Sequence, residues 1–257
     1  MLKNTILSAG LVAATGLLGV ANCDGAQLFN LSGASGSYSE SGQALFNFST
    51  GQVTITIDNT YGASQSDGNG IIAIGFDLTG NPSLTVDENA TVGYELLYDS
   101  GTLTQSSYEV VDGGSGNAKA TPPTQPMTNP WTLAPSGYGS DTYLLGELNG
   151  GQPSDLILNP SETANASVGQ HSPSLESGAV FTLDSSAITT ASTASNIEVY
   201  FGTNRDSNGL PTGTPITGTP VTVPAGGQLP VPATLPLVGG GILALGALAL
   251  RKRGKFQ

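Results

Sequence analysis

Between residues 44 and 60 the chain alternates so regularly that a β-strand pair is the simplest structure able to hold it. Val53, Ile55 and Ile57 alternate with Thr54, Thr56 and Asp58. A period of two places the three aliphatic side chains on one face and the polar ones on the other. The apolar phrase Ala44-Leu45-Phe46-Asn47-Phe48 lies just upstream, across Ser49-Thr50-Gly51-Gln52, and this spacing predicts a hairpin. The next run, Gly70 to Leu78, is apolar almost without interruption, the pattern of a strand covered on both faces. Further strands are predicted at 83–86, 92–98, 142–148, 179–183 and 197–202. Turn clusters such as Asp67-Gly68-Asn69-Gly70, Asp112-Gly113-Gly114 and Asn149-Gly150-Gly151 separate them. No long stretch carries apolar residues at the three-four spacing of a helix. The expected fold is all-β, an antiparallel β-sandwich of jelly-roll-like or immunoglobulin-like type, with a barrel as the open alternative.

Such a body must be held by packing and backbone pairing alone. The only cysteine, Cys23, excludes an intramolecular disulfide and any paired-cysteine metal or redox site. All 19 acidic residues fall between Asp24 and Asp206, with only Lys119 and Arg205 as basic residues among them, so this stretch carries 2 − 19 = −17. A surface this acidic repels phosphate backbones, and nucleic acid is not an expected partner.

The remaining basic residues sit at the two ends, and the ends read as targeting segments. Lys3 precedes an apolar run from Ile6 to Val20, and Gly19-Val20-Ala21 fits a small-x-small cleavage site. Residues 1–21 are therefore expected to be a signal peptide cut after Ala21 by signal peptidase. Lipidation at Cys23 is the alternative, although Asn22 occupies the place where a small residue is wanted. At the other end, the proline-rich Leu229-Pro230-Val231-Pro232-Ala233-Thr234-Leu235-Pro236 leads into an apolar, glycine-broken stretch from Leu237 to Leu250. Arg251-Lys252-Arg253-Gly254-Lys255 follows. The apolar stretch is short beside the ~20 residues of a comfortable spanning helix. The basic cluster would stay cytoplasmic, placing the middle of the chain outside.

The three parts of this tail, in this order at the C-terminus, resemble a PEP-CTERM sorting signal, closest to the variant that begins Val-Pro-Leu-Pro-Ala. Val231 stands where the family's usual glutamate would be. The resemblance implies a sorting motif at Pro230, Val231, Pro232, Ala233 and Pro236, a transmembrane helix, and a basic stop signal at Arg251, Lys252 and Arg253. It also implies processing by an exosortase, a membrane protease, with transient anchoring in the inner membrane and release to the cell surface or matrix. The family is typical of Gram-negative bacteria that build exopolysaccharide biofilm or floc. The phrases Ala44 to Thr60, Ile71 to Leu78 and Asn196 to Thr203 are similar to the extracellular body of many such proteins. A plain C-terminal membrane anchor is the competing reading of the tail.

The expected organisation is a signal peptide at 1–21, an extracellular β-domain at 22–210, a stiff spacer at 211–229 and the sorting signal at 230–257. The spacer repeats Gly-Thr-Pro at 213–215 and 218–220. Lys119 to Pro135, with five prolines, reads as an extended loop on the domain.

Little in the body points to chemistry. His171 is the only histidine and no Gly-x-Ser-x-Gly elbow accompanies it. Asp87-Glu88 could serve as an acid/base pair, but adjacent carboxylates in an acidic chain read as solvated surface. Asp67-Gly68-Asn69 and Asp206-Ser207-Asn208-Gly209 space oxygens as calcium loops do, yet neither continues to a terminal bidentate acid, and turn chemistry explains both. The sequons at Asn30, Asn47, Asn89 and Asn165 read as chance in a bacterial chain. No metal, cofactor or catalytic residue is expected, and the chain is not expected to be an enzyme. The leading expectation is a structural or adhesive matrix protein. The alternative is a carbohydrate-binding module meeting exopolysaccharide through Trp131, Tyr138 and Tyr143, for which a role as core or loop anchors is the competing reading.

Overall fold

A computed structural model describes residues 25–35, 38–62, 67–87, 92–100, 102–111, 124–127, 130–134, 141–148, 154–159 and 166–221. In chain order the strands are β1 (Ala26–Ser35), β2 (Tyr38–Ser49), β3 (Gln52–Asn59), β4 (Ile71–Leu78), β5 (Thr85–Val86), β6 (Val92–Asp99), β7 (Thr102–Val111) and β8 (Thr124–Pro126). They continue with β9 (Thr132–Ala134), β10 (Tyr143–Gly146), β11 (Ile157–Leu158), β12 (Ser174–Glu176), β13 (Ala179–Asp184), β14 (Ala194–Phe201) and β15 (Ile216–Pro220). The fold is all-β. Its helical elements among the described residues are single 3-10 turns at Asp67–Asn69 and Val168–His171.

The hairpin read from residues 44–60 is present. β2 and β3 pair in antiparallel register from Gly42↔Asn59 to Ser49↔Gln52. Gly51 takes φ +86°, a backbone conformation that a β-branched residue resists. Val53, Ile55 and Ile57 are fully buried, and the partner strand sends Ala44, Phe46 and Phe48 into the same cluster.

All strands join one curled, mixed sheet, in the order β5-β13-β3-β2-β1-β15-β14-β4-β11-β12-β6-β7-β8. The curl can be argued from one contact. Phe46 on β2 and Phe76 on β4 have ring centroids 5.5 Å apart. Between those strands lie β1, β15 and β14, so a flat sheet would separate them by about 19 Å at ~4.8 Å per step. The sheet must therefore fold over and face itself. Val180↔Val92 joins β13 to β6 and closes the circuit.

The main apolar cluster fills this curl and includes Phe29, Phe46, Phe76, Ile55, Ile74, Trp131, Phe181 and Val199. A second cluster packs on the outside of β4, with Ile72, Ala73, Leu96, Leu144, Leu156, Leu158, Val168 and Tyr200. Two cores, one on each face, explain why β4 reads as continuously apolar.

The structure corrects three expectations. The sheet is not purely antiparallel, because β7–β8 and β11–β12 pair in parallel. The proline-rich 119–135 segment is not all loop, since β8 and β9 lie in it, each only three residues long. Most important, the expected spacer contributes β15. This strand pairs with β1 through Phe29↔Pro220 to Leu31↔Gly218, and with β14 through Glu198↔Thr217 and Val199↔Ile216. The folded body thus runs through Val221, whose N–H donates to Leu28 O at 2.8 Å. Because β15 runs antiparallel to β1, its end at Pro220 lies beside the first half of β1.

Candidate functional site

The sorting residues Pro230, Val231, Pro232, Ala233, Pro236, Arg251, Lys252 and Arg253 lie outside the described residues, as does the signal segment. No helix among the described residues is long and apolar enough to cross a membrane.

Of the three aromatic residues considered for glycan contact, Tyr138 lies outside the described residues. The other two are core. Trp131 is 1% exposed, stacks on Phe181 with centroids 4.5 Å apart, and donates its indole N–H to Asp155 O at 3.2 Å. Tyr143 is buried against Phe76 and donates its hydroxyl proton to Pro82 O. Neither can offer a ring face to a sugar. Each anchors a chain segment by filling the main core while its polar tip caps a backbone carbonyl.

His171 does gather an acid and a hydroxyl, but in the wrong order for nucleophilic catalysis. Asp67 sits in the middle: Ser167 Oγ donates to Asp67 Oδ1 at 2.7 Å, and His171 Nε2 lies 3.6 Å from Asp67 Oδ2. A serine nucleophile needs the imidazole itself on its hydroxyl. Here the group ties the 3-10 turn at 168–171 to the turn that starts β4, which sequence spacing could not reveal across 100 residues. The two calcium-like loops are turns. Asp206 Oδ1 accepts the backbone N–H groups of Asn208 and Leu210 at 2.8 and 2.9 Å, and these bonds, Leu210 first, lower its carboxyl below the usual range. Asn69 spends its amide on Glu40, at 3.2 and 3.3 Å from the two carboxylate oxygens. Among the described residues no group of three or more His, Cys, Asp and Glu side chains is arranged to hold a metal ion.

Three polar groupings, two of them buried and the third half-buried, were not legible in the sequence. The first pins the end of β3. Asn59 donates its side-chain amide to Asn69 O and Ile157 O at 2.7 and 3.0 Å, and its backbone N–H goes to Ser177 Oγ at 2.9 Å. The second is a buried ion pair, Arg205 Nη2 to Glu147 Oε2 at 3.2 Å, with Ser154 N–H on Glu147 Oε1 at 3.1 Å. It fastens the loop before β15 to the end of β10. Burial pushes the Glu147 carboxyl up, against the opposing pull of Arg205 and the Ser154 N–H.

The third grouping is the most chemically loaded. On the outer face of β4 and β14, Gly75 stands directly opposite Glu198, with Asp77 two residues along β4 on the same face. Asp77 Oδ1 accepts Thr142 N–H at 2.7 Å and its Oδ2 accepts the Asn196 amide at 2.6 Å. Burial works against its charge, but these donors hold its carboxyl below the usual range. Asp141, just before β10, is 4% exposed, and its carboxyl lies over the bare Cα of Gly75. Tyr200 donates its hydroxyl proton to Glu198 Oε2 at 3.2 Å. Three carboxyls from three segments thus meet on a patch floored by a glycine.

Comparisons with protein-family models, with curated proteins and with solved structures each return no match.

Proposed function

We propose that this chain is an exported, exosortase-processed protein of the bacterial cell surface or extracellular matrix, with a non-catalytic structural or adhesive role in exopolysaccharide-rich biofilm or floc. The observation that carries this reading is the ordered tail: the proline-rich lead at 229–236, the apolar stretch at 237–250 and the basic cluster at 251–255. The signal-like N-terminus agrees with it on topology.

The fold is compatible with that role. Among the described residues the strands close a circuit in which β5, β8 and β9, each two or three residues long, pair on one side only, and β7 is covered by β8 only at Glu109–Val111. The finer form of the reading is a flattened, sandwich-like body whose two faces meet at Phe46 and Phe76. The end of β15 beside the first half of β1 lets one pole of the body face the membrane from which both ends come. Between Val221 and Leu237, where the apolar stretch begins, lie 236 − 221 = 15 residues, a tether of at most about 54 Å when extended. The anchored body would therefore sit nearer the bilayer than a spacer starting at Pro211 would hold it.

Intact-mass measurement of the protein from culture supernatant or matrix tests the proposal. The expected mature chain lacks Met1–Ala21 and also lacks Arg251–Gln257. A mature chain that keeps Arg251–Gln257 would overturn exosortase processing and favour a plain anchor.

A further inference from the structure

We propose that Asp141 and Glu198 form a proton-held clasp that fastens the start of β10 onto the outer face of β4 and β14, and that loss of the shared proton loosens this edge of the sheet. The geometry makes the case first. Glu198 is the cross-strand partner of Gly75, and the Asp141 carboxyl occupies the space above Gly75 that any other residue would fill with its own side chain; a methyl group built there would overlap Asp141 Oδ2. The two carboxyls are thus brought side by side by a position that has to be glycine.

Their chemistry then leaves one option. Both Asp141 oxygens are buried, and neither has a hydrogen-bond partner among the described residues. The neighbouring group is the Glu198 carboxyl, and two carboxyls can bond only with a proton between them. An ionised carboxylate without a donor is strongly disfavoured at such a site. The charged and titratable groups around Asp141 make ionisation harder still. From β14 it meets Glu198 and from β4 it meets Asp77, both acidic. Burial, then Glu198, then Asp77 raise the Asp141 carboxyl to about 7.

The mechanical consequence follows from where Asp141 sits. It precedes Thr142, whose N–H is held by Asp77 at 2.7 Å, at the point where the chain leads into β10. β10 in turn carries β9 at its outer edge and pairs with β4 from Tyr143↔Phe76 to Gly146↔Ala73. When the shared proton leaves, three carboxylates crowd one face, and the cheapest relief is for Asp141 to swing into water and release the start of β10.

Carbon-13 NMR of the aspartate and glutamate carboxyls in the folded wild-type protein tests the pairing directly. The expected result is that the Asp141 carboxyl keeps its proton above pH 6; Asp141 ionising below pH 5 would overturn the proposal. Hydrogen exchange tests the mechanical part. After correction for the intrinsic rate, amide protection across Tyr143–Gly146 should fall at least tenfold between pH 5 and pH 8 in the wild type. In Asp141→Asn and in Glu198→Gln, where an amide N–H replaces the shared proton, it should stay nearly constant. Either variant suffices if the other fails to fold. Protection in the wild type that does not change with pH, or variants that lose it as the wild type does, would show that the pair is no clasp.

Discussion

Trp131 illustrates how far a single residue's role depends on what lies across from it. It stands in a proline-rich segment, where an aromatic ring could as well face solvent as the core. The ring is buried because Phe181 and Asp155 O, both distant in sequence, arrive on either side of it. Truncating it leaves a large void and an unpaired carbonyl, so Trp131→Ala should lower unfolding free energy by about 3–5 kcal/mol in urea titration. Because this ring does not face solvent, Trp131→Phe should retain most of that stability and leave any polysaccharide binding unchanged. Glycine at 146 is equally context-bound: a Cβ there would come within 2.5 Å of Ala73 Cβ and 2.7 Å of Ile72 O. Nothing in Leu144-Leu145-Gly146-Glu147 announces that close approach.

At the scale of elements, strands with strong alternation or continuous apolar runs were legible, and those lacking either were not. β2, β3, β4, β6, β13 and β14 all carry Val, Ile, Leu or Phe at a period that sets their faces. β15 does not: Ile216 is its one fully buried side chain, and the following Thr217-Gly218-Thr219-Pro220 reads as a turn-rich spacer. What holds it is backbone pairing on both sides, to β14 with its first residues and to β1 with its last. Gly218 permits this, since a Cβ would approach Ile197 Cβ to 2.9 Å. A chain ending at Val221 should therefore unfold at the same urea midpoint as one ending at Leu229. A chain ending at Pro215 should lose roughly 3 kcal/mol or more, from one buried isoleucine and several ladder hydrogen bonds. Equal midpoints for all three would mean that β15 does not belong to the cooperative unit.

For the whole molecule, several carboxyls inside a strongly acidic body set the response to pH. Burial raises Glu40 to about 7, only partly offset by its Asn69 hydrogen bond, and Asp141 also lies at about 7, while Glu147 and Glu176 are raised by burial too. Each binds its proton more tightly folded than unfolded. Their stabilising effect is complete below the ordinary values of 4.5 for Glu and 3.8 for Asp, and is lost as pH rises through the folded values. Asp77 works in the opposite sense: its lowered carboxyl stabilises above 3.8 and ceases to do so as pH falls. The melting temperature should therefore peak near pH 5 and decline toward pH 8, with net self-repulsion adding to the decline. A midpoint that rises from pH 5 to pH 8 would contradict the burial of these acids. By itself the sequence determined the all-β class, most of the long strands, the β2–β3 hairpin and the expectation of two targeting ends, because each rests on local periodicity, turn chemistry or order along the chain. Only the tertiary structure decided that the sheet curls closed, that the Gly-Thr-Pro segment enters its middle, that Trp131 and Tyr143 face inward, and that Asp141 meets Glu198 over Gly75. Those outcomes depend on which distant residues become neighbours, and local pattern carries no record of that.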